Sequence, residues 1–112
     1  MKLIYPVLFV TFLILACGKT EKPQDNPNNQ KALAEIKKEA KIAEAIITDA
    51  NVLYVSVKND GTRQDGYAQY LCEVLSEHQA TTKWVKVVEV GTAGRKDVDN
   101  AFGLLLGESH CK

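Results

Sequence analysis

VLYVSVK at residues 52–58 and KWVKVVEV at residues 83–90 are the two stretches that decide the fold of this chain. In the first, leucine and valine alternate with tyrosine, serine and lysine, which is typical of a half-buried β-strand. In the second, apolar side chains fall on both faces, which predicts burial on both faces or a bulge near Val87. Both stretches therefore predict strands, and the fold depends on what connects them.

The connecting segment predicts a helix. Asn59-Asp60-Gly61 supplies turn chemistry after the first strand. Thr62 is a candidate N-cap with Asp65 three residues on, and the helix is expected to run to about His78. Strand, helix and strand over so short a length form a βαβ unit, so we expect parallel strands and a right-handed crossover. Gly66 lowers the helix propensity of the first turn, which predicts that another segment approaches closely there.

The flanking segments complete a small domain. Residues 31–51 predict a first helix, because apolar residues recur there at spacings of three and four. The tail from residue 98 onward is ambiguous between a short helix capped by Asp99 and an edge strand at residues 104–106. The predicted fold is α/β (an α+β-like small domain), ordered α-β-α-β with one parallel βαβ unit. Two strands alone leave exposed edges, which the tail, a partner protein or a second copy would cover.

The amino-terminal segment predicts a cleaved leader. Lys2 precedes a largely apolar stretch at residues 3–16, which is too short to span a bilayer as a helix. The run Ile14-Leu15-Ala16-Cys17 resembles the lipobox of bacterial lipoprotein precursors. That resemblance implies cleavage after Ala16, a lipid on Cys17, and a protein anchored in a membrane and facing the periplasm or the cell exterior. Gly18 in place of an aspartate slightly favours the outer membrane if the host is diderm.

These features divide the chain into three parts. Residues 1–16 are the expected signal peptide, and residues 17–30 are the expected lipidated tether, because prolines and asparagines replace apolar residues there. Residues 31–112 form the expected extracytoplasmic domain. With Cys17 assigned to lipid, Cys72 and Cys111 remain, and in an oxidising compartment the pair predicts a disulfide that staples the tail. Such a bond would contribute roughly 4 kcal/mol on the loop-entropy model. A reactive or metal-binding thiol is the alternative, although no CxxC spacing accompanies it.

Charge and motifs argue against several function classes. The chain has 14 basic and 14 acidic residues, so no basic excess points to nucleic acid. It contains neither a glycine-rich phosphate-binding motif nor GxSxG, and the sequence predicts no catalytic residue, metal site or cofactor.

The loops that follow the two strands are the candidate contact site. Ligands of open parallel sheets gather beyond the carboxyl ends of the strands, and both arginines of the chain fall there. We call a set of polar residues in these two loops the rim. They could hold a carboxylate or phosphate group, or contact a partner. The rim consists of Thr62, Arg63, Thr92, Arg95 and Lys96. The alternative is that the arginines pair with Asp60, Asp65 or Asp97 on solvated turns.

The sequence therefore favours a lipid-anchored binding or accessory module that acts through protein contacts at the cell envelope, with an inhibitor or immunity-type role as one form. Tyr67 and Trp84 are candidate aromatic anchors, or else core residues. A binder of small anionic ligands at the rim is the alternative, and a minor envelope enzyme is a third class. Anion binding predicts converging arginines, whereas protein contact predicts an exposed apolar patch or an open sheet edge. Pairing of two copies through a sheet edge is a further option.

Overall fold

The computed structural model describes residues 21–98 and 101–112. The expected signal peptide, Cys17 and the possible helix cap Asp99 lie outside the described residues. The described chain forms a four-stranded mixed sheet with its strands in sequence order. Its elements are a short 3₁₀ turn Pro23–Asp25, α1 Pro27–Ile36, β1 Glu44–Ile47, β2 Leu53–Val57, α2 Asp65–Glu77, β3 Trp84–Glu89 and β4 Leu105–His110.

The central βαβ unit is confirmed. β2 and β3 pair in parallel, with Leu53 opposite Val85 and Val55 opposite Val87. These side chains are fully buried, and they face the two helices in a single core. The helical side of that core consists of Ala32, Ile36, Ala68, Leu71, Cys72 and Leu75. Both helices therefore cover the same face of the sheet.

The ordered domain begins earlier than the expected boundary at residue 31. Asn26 caps α1 by accepting hydrogen bonds from two backbone N–H groups, and Pro27 occupies the first turn. Asn29 is fully buried: its amide donates to Pro23 O at 2.9 Å, and its oxygen accepts from Thr81 N at 2.8 Å. The proline- and asparagine-rich segment is thus a capped helix start rather than a tether from residue 23 onward.

The prediction of a first helix over residues 31–51 is wrong in its second half. α1 ends at Ile36, and Glu44–Ile47 forms β1, which is antiparallel to β2. Ala45 and Ile47 are buried on the helix side of the sheet, so their period of two decides the conformation. The hairpin closes through Asn51, whose φ of 64° an asparagine tolerates better than most residues.

α2 begins later than expected. Its N-cap position is Gln64, which makes no side-chain capping bond, and the helix starts at Asp65. Thr62 is therefore not the N-cap, because its hydroxyl donates to Asp60 at 2.6 Å within the preceding turn. Gly66 meets no other segment, since a Cβ there would have nothing within 4 Å. The predicted close approach at Gly66 is wrong.

The tail forms the edge strand β4. It runs antiparallel to β3, and the pairing shifts register between Val87 and Val88, which confirms the predicted bulge. The Cys72–Cys111 disulfide is confirmed and ties the end of the tail to α2. Together β1 and β4 cover the two edges that the predicted two-stranded sheet would have left open.

Candidate functional site

The rim lies where the sequence places it, at the carboxyl ends of β2 and β3. Asn59 after β2 donates to the Glu89 carboxylate of β3 at 3.3 Å, which links the two loops. Asp60 accepts from both the backbone N–H and the hydroxyl of Thr62. These bonds stabilise the carboxylate and hold the pKa of Asp60 below its ordinary value. The first loop is therefore an internally bonded turn.

The two arginines are each paired within their own loop. Arg63 donates twice to the Asp65 carboxylate at 3.1 and 3.0 Å, and Arg95 binds Asp97 in the same two-pronged way. The guanidinium beside each carboxyl lowers the pKa of both aspartates. The two ion pairs share no residue, and the side chains of both are exposed. The geometry is therefore that of two separate solvated pairs.

The remaining rim residues divide between structure and solvent. Thr92 is buried; its hydroxyl donates to Glu89 O at 2.7 Å and accepts from Leu104 N at 2.7 Å. It fixes the long loop after β3 to the strand, so its hydroxyl is already engaged. Lys96 is exposed on the turn beyond it. The rim thus offers solvated charges rather than a shaped anion pocket.

The face of the sheet that the helices leave uncovered is the stronger candidate, and we call it the outer face. On it, Ile46, Tyr54, Lys86 and Glu108 lie opposite one another in one row across all four strands. Trp84 and His110 form a neighbouring pair. Phe102, from the loop after β3, borders the same face in two grooves that it shares with Tyr54, and Leu104 lines one of them. The outer face consists of Ile46, Tyr54, Ser56, Trp84, Lys86, Val88, Phe102, Leu104, Glu108 and His110.

Large apolar side chains are exposed together on the outer face. Ile46 is 43% exposed, Phe102 39% and Leu104 41%. Phe102 stacks on the Tyr54 ring with the centroids 4.2 Å apart. Single exposed apolar residues are ordinary on a protein surface, whereas a grouped set beside aromatic rings is typical of a contact surface. This arrangement is the exposed apolar patch that the protein-contact hypothesis predicts.

A polar cluster organises the other end of the outer face. The Trp84 ring stacks on His110 at 4.4 Å, and its indole N–H donates to Glu108 at 3.0 Å. The Lys86 ammonium lies 4.4 Å from the Trp84 ring centroid and 5.8 Å from that of Tyr54. Lys86 is therefore held between two aromatic rings by cation–π attraction.

Beside Lys86 lies an open groove of about 550 Å³. The described residues that line it have aliphatic or aromatic side chains except for Lys86, which carries the only formal charge among them. They are Tyr54, Lys86, Val98, Ala101, Phe102, Leu104 and Leu105.

Tyr67, the second candidate anchor, has a structural role instead. Its hydroxyl and that of Tyr70 donate to the two oxygens of Glu39 at 3.2 and 3.1 Å. Lys41 lies over the Tyr67 ring at 4.5 Å. Burial and the nearby Glu39 carboxylate raise the pKa of Tyr67. Tyr67 thereby fixes the segment between α1 and β1 against α2.

The fold does not bring the side chains of Ser56 and His78 together. Ser56 lies on the outer face, whereas His78 follows α2 on the opposite side of the sheet and contacts Val74 O at 2.9 Å. Within residues 21–98 and 101–112, no cluster of three or more His, Cys, Asp or Glu side chains is arranged to hold a metal ion.

Comparison with known proteins adds no assignment. Neither family models, nor curated proteins, nor solved structures give a match to this chain. In the described part of the chain, no helix has the length and apolar character to cross a bilayer.

Sequence reasoning missed the outer face as a site, although its signal is visible. The alternation in both strands separates Tyr54 and Ser56 from the buried valines, and Trp84 and Lys86 from Val85. What the alternation does not reveal is that both helices cover the same face.

Proposed function

We propose that this chain is a lipid-anchored, extracytoplasmic binding module that acts through protein contacts at the cell envelope, with the outer face as its contact surface. The observation that carries the proposal is the grouping of exposed Ile46, Phe102 and Leu104 beside aromatic rings on a face that no helix covers. An inhibitor or immunity-type role is one form of this function. Anion binding at the rim has less support, because each arginine is already paired with an aspartate.

The lipid anchor is part of the proposal and rests on the lipobox resemblance at Cys17. Since ordered structure begins by Pro23, only residues 18–22 would separate the lipid from the domain. Such a segment reaches about 20 Å when fully extended. The domain would therefore work close to the membrane surface.

This anchor also orients the domain. Gln24 donates to Asp49 in the β1–β2 hairpin, and Asn29 binds Thr81 just before β3. The anchored end is thus the end where β2 and β3 begin. The rim lies at the opposite end and would point away from the membrane, with the outer face between them and accessible from the side.

Site-specific photo-crosslinking in intact cells tests the contact surface. A photoreactive amino acid in place of Ile46 or Leu104 is expected to capture a discrete protein. The same photoreactive amino acid in place of Glu77 on α2 is the control, and it is expected to capture none. Adducts from Glu77 alone, or from none of the three positions, would contradict the proposal. A parallel Arg63→Glu/Arg95→Glu variant is expected to keep the adduct, because the rim is not the proposed contact.

Metabolic labelling of the same cells tests the anchor. Cys17→Ser is expected to remain unprocessed and without lipid, so metabolic labelling with a radioactive fatty acid should mark wild type alone. Labelling of both chains, or of neither, would contradict lipidation at Cys17.

A further inference from the structure

We infer that the outer face binds a peptide segment of its partner in which an acidic residue stands beside an aromatic or aliphatic one. The carboxylate of the acidic residue contacts Lys86, and the neighbouring side chain enters the groove beside Lys86. This inference rests on the proposed function, since it takes the outer face to be a protein-contact surface. It adds the chemistry of the partner.

The first step is the state of Lys86. Its ammonium lies over the Trp84 ring and near that of Tyr54, and among the described residues no carboxylate lies within ion-pair distance of it. The nearest carboxylate in register is that of Glu108, which accepts from the Trp84 indole instead. The two rings hold the ammonium in place, but they do not supply the negatively charged hydrogen-bond acceptor that a carboxylate would.

The second step is the surroundings of that cation. Apart from Lys86, the described residues that line the groove of about 550 Å³ have aliphatic or aromatic side chains, and Leu104 and Phe102 at its border are exposed. An apolar wall lowers the local dielectric, which strengthens the attraction between the ammonium and an incoming carboxylate. A segment that offers only apolar groups would bury Lys86 without a partner, which is costly, so the groove discriminates against it.

The third step is the size of the surface. The open groove of about 550 Å³ has room for one or two side chains of an extended or helical segment. Buried charge pairs and aromatic contacts at the centre of an interface dominate its affinity. We therefore place the energetic centre of the contact at Lys86, Tyr54 and Phe102.

Selection from a displayed library of random dodecapeptides tests the inference, with the full chain immobilised in detergent micelles as the target. Wild type is expected to select peptides with Asp or Glu beside an aromatic or aliphatic residue. Lys86→Glu is expected to reverse that preference toward Lys or Arg. Lys38→Glu, which changes the same charge at an exposed position just after α1, is the matched control and should keep the acidic preference. Selection without an acidic preference, or one that Lys86→Glu leaves unchanged, would overturn the inference.

A second variant keeps the inference testable if Lys86→Glu fails to fold. Lys86→Met keeps the aliphatic stem that packs over the rings and removes only the charge. The selected acidic peptide is expected to bind Lys86→Met about tenfold more weakly than wild type, and Lys86→Arg within a few-fold of wild type. Equal binding by wild type and Lys86→Met would contradict the inference even if Lys86→Glu failed to fold.

Two other occupants are outcomes of the same work. Trp84 is the single tryptophan of the chain and lies on the outer face, so it reports directly on what covers that face. Its quenching by brominated acyl chains, in vesicles of phosphatidylethanolamine and phosphatidylglycerol, would assign the face to the membrane and overturn the inference. Self-association that Lys86→Glu abolishes would assign it to a second copy and do the same.

The outcomes separate the two proposals. Crosslinks from Ile46 or Leu104 in cells, together with a library selection that lacks acidic residues, would leave the protein-contact function standing and reject only the acidic partner. Loss of the crosslinks would remove the function itself.

Discussion

At the scale of single residues, Gly107 makes the closest backbone contact among the described glycines. A Cβ built on it would lie 2.4 Å from the Gln64 carbonyl carbon and 2.5 Å from Asp65 N. The backbone that leads into α2 therefore passes directly over β4, and it can do so because position 107 lacks a side chain. Gly66, just inside α2, has open space around its Cβ position.

We expect the two glycines to respond to alanine in opposite directions. Gly107→Ala should destabilise the domain by about 1–3 kcal/mol, because backbone atoms cannot move aside as a flexible side chain would. Gly66→Ala should stabilise it by roughly 0.5–1 kcal/mol through helix propensity. Urea unfolding of the full chain, followed by Trp84 fluorescence, measures both. Similar destabilisation by both substitutions would show that the approach at Gly107 is not the reason for its glycine.

Sequence reasoning placed this close approach at the wrong glycine for a clear reason. A glycine in the first turn of a helix stands out locally, since it lowers helix propensity there. The contact at Gly107 joins β4 to residues far away in sequence, and no local pattern encodes it. The Cys72–Cys111 pair was predictable because cysteine pairing requires only a count and a compartment.

At the scale of elements, β1 shows how two periodicities can coincide. Residues 31–51 satisfy a helical spacing, yet Ala45 and Ile47 also alternate with exposed neighbours. Pairing with β2 satisfies the backbone groups of β1 that face β2, and both side chains are buried in the core with the helices. Periodicity in a short apolar run cannot distinguish the two, and tertiary pairing decides between them.

The free edge of β4 is capped by the start of α2. Gln64 N donates to Leu106 O at 3.1 Å, and Glu108 N donates to the Asp65 carboxylate at 2.9 Å. These bonds occupy outward-facing backbone groups that an edge strand would otherwise present to other chains. Asp65 thus bonds both to Arg63 and to the edge of the sheet.

We expect Asp65→Asn to lower stability at neutral pH and to weaken its acid dependence. The Arg63 guanidinium and the Glu108 N–H lower the pKa of Asp65 below its ordinary value of 3.8. Its contribution is therefore present above about pH 4 and is lost as the pH falls through the lower folded-state value. Urea midpoints between about pH 2 and pH 7 measure the effect.

Asp97→Asn is the matched control for this prediction. Asp97 also has a lowered pKa beside an arginine two residues earlier, but it makes no bond to β4. An exposed pair of this kind contributes little, so the variant should follow wild type closely. An acid profile that Asp97→Asn flattens as much as Asp65→Asn does would refute the edge role of Asp65.

At the scale of the whole molecule, the sequence predicted the rim as the contact site, whereas we propose the outer face. The rim follows from a rule for parallel sheets that have helices on both sides. Here α1 and α2 both pack on one side, since Ala32, Ile36, Leu71 and Leu75 belong to the same core. The side of a sheet that a helix covers is decided by tertiary packing and not by the local sequence. The sequence pattern could therefore assign Tyr54 and Lys86 to one face of the sheet, but it could not show that no helix covers that face.

The Cys72–Cys111 disulfide connects the helix layer to the edge of the sheet, and its removal tests how the layers depend on each other. Cys111 lies just after β4, and β4 supplies Glu108 and His110 to the outer face. We expect Cys72→Ala/Cys111→Ala to lower the free energy of unfolding by about 4 kcal/mol, as the loop-entropy model gives. Reduced wild type should behave in the same way.

The form of the transition distinguishes a global staple from a local one. β4 remains bonded to α2 through Gln64 and Asp65 when the disulfide is absent, so the strand should not detach independently. We therefore expect one cooperative urea transition at a lower midpoint, with Trp84 fluorescence and far-ultraviolet circular dichroism coincident. A Trp84 signal that changes before the helices unfold would show instead that the disulfide alone holds β4, and with it the outer face, in place.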